Sequence, residues 1–186
     1  MGAFSKTDNH NLAAKLDLRR ALLPKNEPLR VLDCFAGSEA IWKQLRTEFA
    51  VEDYLALDVK QRKGRLKLDS ARFVAEQTGD FNIIDLDAYG APWDHFVSVL
   101  KWHRPLIVFL TVGAVGMKAQ SKTALALAGI PPLTPIGMHS QLHDYITESC
   151  LTAPLYHGFT IGRTLEALNP GGSARYFGMQ ITPVAP

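Results

Sequence analysis

Cysteine is scarce in this chain of 186 residues: Cys34 and Cys150 are its only two, far apart and in no C-x-x-C. That argues against a disulfide framework or a thiolate zinc site and fits a reducing compartment. No apolar run reaches the roughly 18 residues of a membrane-spanning helix, and the N-terminus lacks the apolar core of a signal peptide. The expectation is a cytoplasmic protein without a membrane partner. A strong excess of one charge is missing too: 20 Lys and Arg against 18 Asp and Glu leave a formal net charge of +2, with a pI near 8.6. Such mild basicity permits a nucleic-acid partner without demanding one. No internal repeat or low-complexity segment breaks the chain. With 47% hydrophobic and 20% charged residues it reads as an ordinary globular protein, a single domain over 1–186.

What is present begins at Arg30 to Trp42. Leu29 to Phe35 is an apolar run ending in Ala36-Gly37-Ser38, and Ile41, Leu45 and Phe49 then recur at helical spacing. This is a strand, a small-residue turn and a helix, which lets a ligand approach the backbone and the helix N–H groups. Asp33 is expected to face that ligand. A dinucleotide fingerprint would need G-x-G-x-x-G and a phosphate loop Gly-Lys-Ser/Thr; the turn has only Gly37, with Phe35 at the first glycine position. The order Val31-Leu32-Asp33-x-Phe35-Ala36-Gly37-Ser38 resembles the first motif of class I S-adenosylmethionine (SAM)-dependent methyltransferases, with Glu39 where that family has its last glycine.

Ahead of this unit, residues 1–28 form an arm and a helix, Leu12 to Leu23. Leu12, Leu16 and Leu22 lie on one side of it and Lys15, Arg19 and Arg20 on another, and Pro24 and Pro28 close it. The cations read as a solvated face, with a phosphate-contacting entry helix as the alternative. Tyr54 to Val59 is a second strand ending at Asp58, about twenty residues past the turn, where a carboxylate reaches a ribose hydroxyl or simply caps a turn. The loop Lys60-Gln61-Arg62-Lys63-Gly64-Arg65 beside it is a candidate for nucleic-acid backbone contact, or plain solvated charge. Arg65 to Leu68 is a short third strand. Asp69-Ser70 opens the next helix, where Asp69 is a natural N-cap.

Phe81 to Asp87 is a buried-type strand, followed by Ala88-Tyr89-Gly90-Ala91-Pro92-Trp93 and a helix carrying Trp93, Phe96, Val97 and Leu100 inward. By the two-residue period Asp85 and Asp87 share a face, and buried carboxylates are costly unless they bind something. Pro105 to Val112 is a fifth strand, and 113–154 is an insertion on the ligand side of the sheet that brings Lys118, Lys122, His139 and His143 as candidate substrate contacts. His139 and His143 have zinc-helix spacing, but no third ligand accompanies them, so no metal is expected. Phe159 to Leu168 and Ala174 to Val184 flank Asn169-Pro170-Gly171-Gly172, a hairpin signal.

The run Asp85-Leu86-Asp87-Ala88-Tyr89-Gly90-Ala91-Pro92 is similar to the D-L-D-P-[FY]-G-S-P run of tRNA guanine-N2 dimethyltransferases, with Ala88 and Ala91 replacing Pro and Ser. It is more loosely similar to small phage and prophage methyltransferase-like proteins. The resemblance implies a three-layer, doubly wound, mostly parallel seven-stranded α/β sheet with a terminal antiparallel hairpin, and SAM as cofactor. The methionine end would meet Asp33, Phe35, Ala36, Gly37 and Ser38, the ribose Asp58, and the adenine Val59 and Asp69, with Ser70 also at the cofactor. It also implies a nucleic-acid substrate, RNA before DNA. Asp87 would accept hydrogen bonds from an exocyclic amine, Tyr89 would stack on the base, and Lys60, Arg62, Lys63, Arg65 and Lys118 would touch the nucleic acid. Cys34 sits outside a Pro-Cys loop, which disfavours cytosine-C5 chemistry. The rivals are a DNA amino-methyltransferase, a small-molecule or protein methyltransferase, and a SAM-fold binding module without activity.

Overall fold

The computed structural model describes residues 11–58, 66–76, 79–113, 122–129, 140–172 and 174–185. Helix α1 (Leu12–Leu22) leads into β1 (Leu29–Asp33), α2 (Ala40–Leu45), β2 (Val51–Asp58), β3 (Leu66–Lys67), α3 (Ser70–Glu76), β4 (Ile83–Leu86), α4 (Trp93–Leu100) and β5 (Leu106–Gly113). Then come α5 (Lys122–Leu127), α6 (Ser140–Leu151), α7 (Ala153–Tyr156), β6 (Phe159–Leu168) and β7 (Ala174–Pro183). The strands lie in the order β3-β2-β1-β4-β5-β7-β6. β1 pairs in parallel with both β2 and β4, and β4 with β5; β7 enters antiparallel against β5 and β6. The strand order therefore turns back at β1, and its neighbours β2 and β4 diverge in connection there. In open α/β sheets this is where ligands bind, at the carboxyl ends of the strands.

Alternation along the strands gives the sheet two apolar faces. Leu29 and Val31 of β1, Ile83 of β4, Phe109 of β5 and Tyr176 of β7 pack with Leu16, Leu18 and Leu22 of α1 and Ile41, Trp42 and Leu45 of α2. Leu32, Ile84, Leu86, Val108, Leu110 and Phe177 face the other way, against Val74 of α3, Trp93 and Phe96 of α4, Leu125 of α5, Ile146 of α6 and Ala153 of α7. Asp33, Asp85 and Thr111 continue the odd-numbered series of their strands, so they point to the α1 face.

Helix α1 is seated closely on β7. A Cβ at Gly178 would come within 2.9 Å of both Leu18 Cδ2 and Phe109 Cε1, and 3.0 Å of Leu22 Cδ2. Glycine is needed there for the approach of the helix. Both ends of α1 are also tied to β6: Asn11 Nδ2 donates to Leu168 O (3.3 Å) and Arg163 Nη1 to Ala21 O (2.7 Å).

Candidate active site

The turn after β1 rises between its two neighbours. Cys34 N donates to Asp85 O of β4, and Ala36 N to Leu57 O of β2, both at 3.0 Å. Gly37 holds φ +49° and Glu39 φ +57°, so the glutamate adopts the left-handed conformation in which a glycine is unstrained. That costs a non-glycine residue on the order of 1 kcal/mol. Glu39 N donates to Ala36 O, Glu39 O accepts from Lys43 N, and the Glu39 carboxylate meets Arg46 at 3.3 Å. The substitution at the motif's last glycine position therefore keeps the turn's backbone shape.

Asp33 is turned into the protein rather than toward a ligand. It is 4% exposed, with Oδ2 accepting from Tyr54 Oη at 2.9 Å and Oδ1 from Phe35 N at 3.3 Å. Burial, reinforced by the charge of Asp85, holds its carboxyl well above the ordinary carboxylate range despite the Tyr54 hydrogen bond.

Asp85 of β4 and Asp87, the first residue past that strand, are met by α1. Arg19 grips Asp85 with both prongs, Nε to Oδ2 at 2.8 Å and Nη2 to Oδ1 at 2.7 Å, and Trp42 Nε1 adds a third donor at 2.7 Å. Arg19 also lies over the Phe109 ring, 4.8 Å from its centroid. One turn earlier, Lys15 Nζ reaches Asp87 Oδ1 at 2.6 Å and Oδ2 at 2.8 Å, and the Thr111 hydroxyl donates to Oδ1. Their side chains are 8% and 11% exposed. The solvated face expected of α1 is thus a correction for two of its three cations. Only Arg20 is there, bound to Glu48 and Asp17 at the surface. Buried carboxylates demand compensation, and Lys15 and Arg19, spaced i, i+4 on one side of the helix, supply it. Burial alone would raise the Asp87 carboxyl, but the charges of Lys15 and Arg19 and the hydrogen bonds from Lys15 and Thr111 win, leaving it below the usual range.

Asp58 ends β2, paired beside Lys67 of β3, and is half-buried. Asp69 caps α3, its Oδ1 accepting from Ala71 N at 3.0 Å. Ser70 Oγ lies 2.9 Å from His95 Nε2, and the His95 ring tilts against Phe35 with centroids 4.8 Å apart. Burial lowers the His95 pKa against the raising effect of Asp69 and Asp94. Phe35 of the turn after β1, Ser70 at the start of α3 and His95 in the first turn of α4 thus gather at one place. Tyr89 is 95% exposed, in the turn between β4 and α4. Val59, Lys60, Arg62, Lys63, Arg65, Lys118 and His139 lie outside the described residues. Among the described residues, no group of three His, Cys, Asp or Glu could hold a metal ion, and no helix is long and apolar enough to cross a membrane.

Sequence reasoning missed Lys15, Arg19, Trp42, Thr111 and His95 as neighbours of these groups. For the first two a signal existed: two acids on a buried strand face and two cations at i, i+4 on an apolar helix are complementary. His95 carries no such signal, because its neighbours come from separate turns.

No protein-family model matches the sequence, and no curated protein matches it. Solved structures do. A putative hemolysin from Streptococcus thermophilus superposes with a TM-score of 0.62 at 12% identity, over 100% of this chain and 70% of that one. Magnesium protoporphyrin IX methyltransferase from Synechocystis PCC 6803, solved with bound S-adenosylhomocysteine (SAH), gives 0.51 at 14% identity over 90% and 79%. The 1,6-didemethyltoxoflavin-N1-methyltransferase of Burkholderia thailandensis, solved with its substrate and SAH, gives 0.50 at 13% identity over 95% and 80%. At such identities the likeness establishes the fold. The chain has the mixed α/β fold that these methyltransferases share.

Proposed function

We propose that the protein is a SAM-dependent N-methyltransferase acting on an exocyclic amine of a nucleic-acid base, with guanine N2 in RNA favoured over a DNA target. The observation that carries this reading is Asp87 at the carboxyl end of β4, ionised, with part of its acceptor capacity open and the exposed ring of Tyr89 two residues on.

The residues present fit SAM better than a dinucleotide. The turn from Phe35 to Glu39 carries no cation of its own, and the neighbouring Lys43 is engaged with Ser38 O at 3.0 Å. Ala36, Gly37 and Ser38 would hold the methionine end, Phe35 would pack on the ligand, Asp58 would take the ribose, and Val59 and Asp69 the adenine, with Ser70 beside them. When bound, SAM would supply a methyl group already activated on sulfur; transfer to the amine nitrogen would leave S-adenosylhomocysteine and release one proton to bulk water. The chain's own residues then have an orienting task. Asp87 accepts an N–H of the amine and localises its lone pair, Tyr89 stacks on the base, and Lys60, Arg62, Lys63, Arg65 and Lys118 hold the backbone. A paired target base would have to be flipped out.

Titration with SAM and with NAD, followed by transfer of labelled methyl to bulk tRNA, rRNA, DNA, protein and small heterocycles, tests this. Label in RNA, on a base amine, is the expected result. NAD binding without SAM binding sinks the cofactor assignment. Label confined to DNA, protein or a heterocycle reassigns the substrate, and SAM binding without transfer to any acceptor makes the chain a binding module.

A further inference from the structure

Asp87 already carries an ammonium group. Lys15 Nζ sits 2.6 Å and 2.8 Å from its two oxygens, and 5.1 Å from the Tyr176 ring centroid. One donor shared across both oxygens fixes the plane of the carboxylate, and Thr111 on Oδ1 makes the oxygens inequivalent. A carboxylate offers about four acceptor positions; among the described residues Lys15 occupies one on each oxygen and Thr111 another on Oδ1, which leaves a position on Oδ2. Lys15 is itself held firmly. The helix bearing it is locked by Arg19 on Asp85, by the bonds to Leu168 and Arg163, and by its close seat on Gly178.

The groups facing Asp87 are Lys15 and Arg19 from α1, Asp33 from β1, Asp85 from β4, Thr111 from β5 and Tyr176 from β7. Lys15 offsets Asp87, and Arg19 offsets Asp85. The carboxylate therefore presents an acceptor without a surplus of negative charge.

We propose that Lys15 is a positioning residue of the methyl-acceptor subsite: it holds Asp87 as a fixed carboxylate with one open acceptor position, so that the subsite selects a neutral heterocyclic amine over a cationic alkyl amine. An alkylammonium substrate would meet a subsite whose negative charge is already spent on Lys15. A neutral amine asks only for the remaining acceptor. The inference rests on the methyl-transfer reading above and narrows it, setting nucleobases against lysine side chains.

The test uses the full chain and the variants Lys15→Met and Lys15→Arg, each alone and with Asp87→Asn. Three quantities are measured: single-turnover methyl transfer at saturating SAM from pH 5 to 9, SAM affinity, and the carboxyl 13C resonance of Asp87 in SAM-free protein. Lys15→Met is expected to slow transfer to the base amine by about tenfold or more, the scale of coupling between contacting residues. It should also raise the titration midpoint of Asp87 and give the rate an acid limb at that midpoint. Lys15→Arg should recover most of the rate, and Lys15→Met should cost nothing further once Asp87 is Asn. Should Lys15→Met not fold, the double variant, which removes both charges, and Lys15→Arg carry the same comparison. An unchanged rate and pH profile in Lys15→Met overturns the proposal, as do equal losses of rate and SAM affinity in the Met and Arg variants. If the wild type methylates no acceptor, the methyl-transfer reading fails separately, and an Asp87 midpoint unmoved by Lys15→Met then overturns the role of Lys15.

Discussion

Asp85 and Asp87 stand two residues apart on one strand face, and their surroundings divide their roles. Asp85 is 1% exposed and its oxygens are taken by Arg19 and Trp42, so it anchors α1. Asp87, just past the strand, is met by Lys15 and Thr111, and in the proposed reading its remaining acceptor position takes the substrate amine. Asp87→Ala is therefore expected to cut single-turnover transfer by about 10² to 10³, the scale of one lost preorganised partner. It should also lower stability by about 3–5 kcal/mol, because it leaves the Lys15 ammonium buried and unpaired. Asp87→Asn keeps an acceptor oxygen of the same shape and should retain more of both. Rates measured below the melting temperature of each variant, with thermal unfolding alongside, separate the two effects; full transfer by Asp87→Ala would remove the residue from the mechanism. The acids were legible in the sequence because strand periodicity put them on one buried face. Their partners were not, since Lys15 and Arg19 lie 72 and 66 residues away. Charge spacing on a helix does not say which face the sheet will take. Asp33 misled for a related reason: its place before the turn was legible, but the inward bond to Tyr54 was not.

The strands and helices expected along the chain are present with small shifts at their ends, because each has an apolar period of its own. β3 shrinks to Leu66–Lys67 with only two pairings to β2, and α7 (Ala153–Tyr156) was not foreseen, being one short turn behind Thr152. What no local pattern could show is how closely α1 approaches the hairpin. Gly178 reads as an ordinary strand glycine until Leu18, Leu22 and Phe109 are seen against it. Gly178→Ala is expected to destabilise the fold by about 1–3 kcal/mol, the cost of overpacking a filled site. Because α1 carries Lys15 and Arg19, the same change should disturb their pairing with β4. Gly171→Ala, where no atom lies within 4 Å of the added carbon, serves as the control and should stay within about 0.5 kcal/mol of wild type. Urea unfolding of the two variants checks this. Equal stability of both would mean that α1 is seated less tightly than the contacts at Gly178 imply, and Leu18→Ala in the Gly178→Ala background should otherwise restore part of the loss.

At the scale of the whole molecule, the sequence crowds four cations into the run Lys60 to Arg65. If that loop holds a nucleic-acid backbone, replacing Lys60, Arg62, Lys63 and Arg65 together should leave SAM affinity unchanged. It should flatten the salt dependence of nucleic-acid binding by about 0.7 per lost contact on a single strand; an unaltered slope in a salt titration makes the loop plain solvated charge. The buried titratable groups near the turn after β1 leave a trace of their own, in stability against pH. Among the described residues Asp33 has no salt-bridge partner, Arg19 being bound to Asp85, and burial next to Asp85 holds its carboxyl protonated well above the usual range. From the unfolded value near ~4 up to that raised value the folded chain holds a proton that the unfolded chain has lost. Folding therefore takes up a proton, and stability falls as pH rises through this window. Asp87, held low chiefly by Lys15 and Arg19 against its burial, acts in the opposite sense: below ~4 the unfolded chain binds the extra proton, and stability falls as pH falls toward the folded value. His95, lowered by burial, also favours higher pH, in the window below its unfolded value near ~6.5. The contribution of Asp33 is isolated by difference. Asp33→Asn keeps an acceptor for Tyr54 but cannot ionise, so its melting temperature relative to wild type should climb steadily as pH goes from about 5 to 8. Asp87 and His95 titrate alike in both proteins and cancel. Parallel melting curves across that range would mean that Asp33 is ionised in the folded protein, its charge carried by Tyr54, the Phe35 amide and the nearby Arg19.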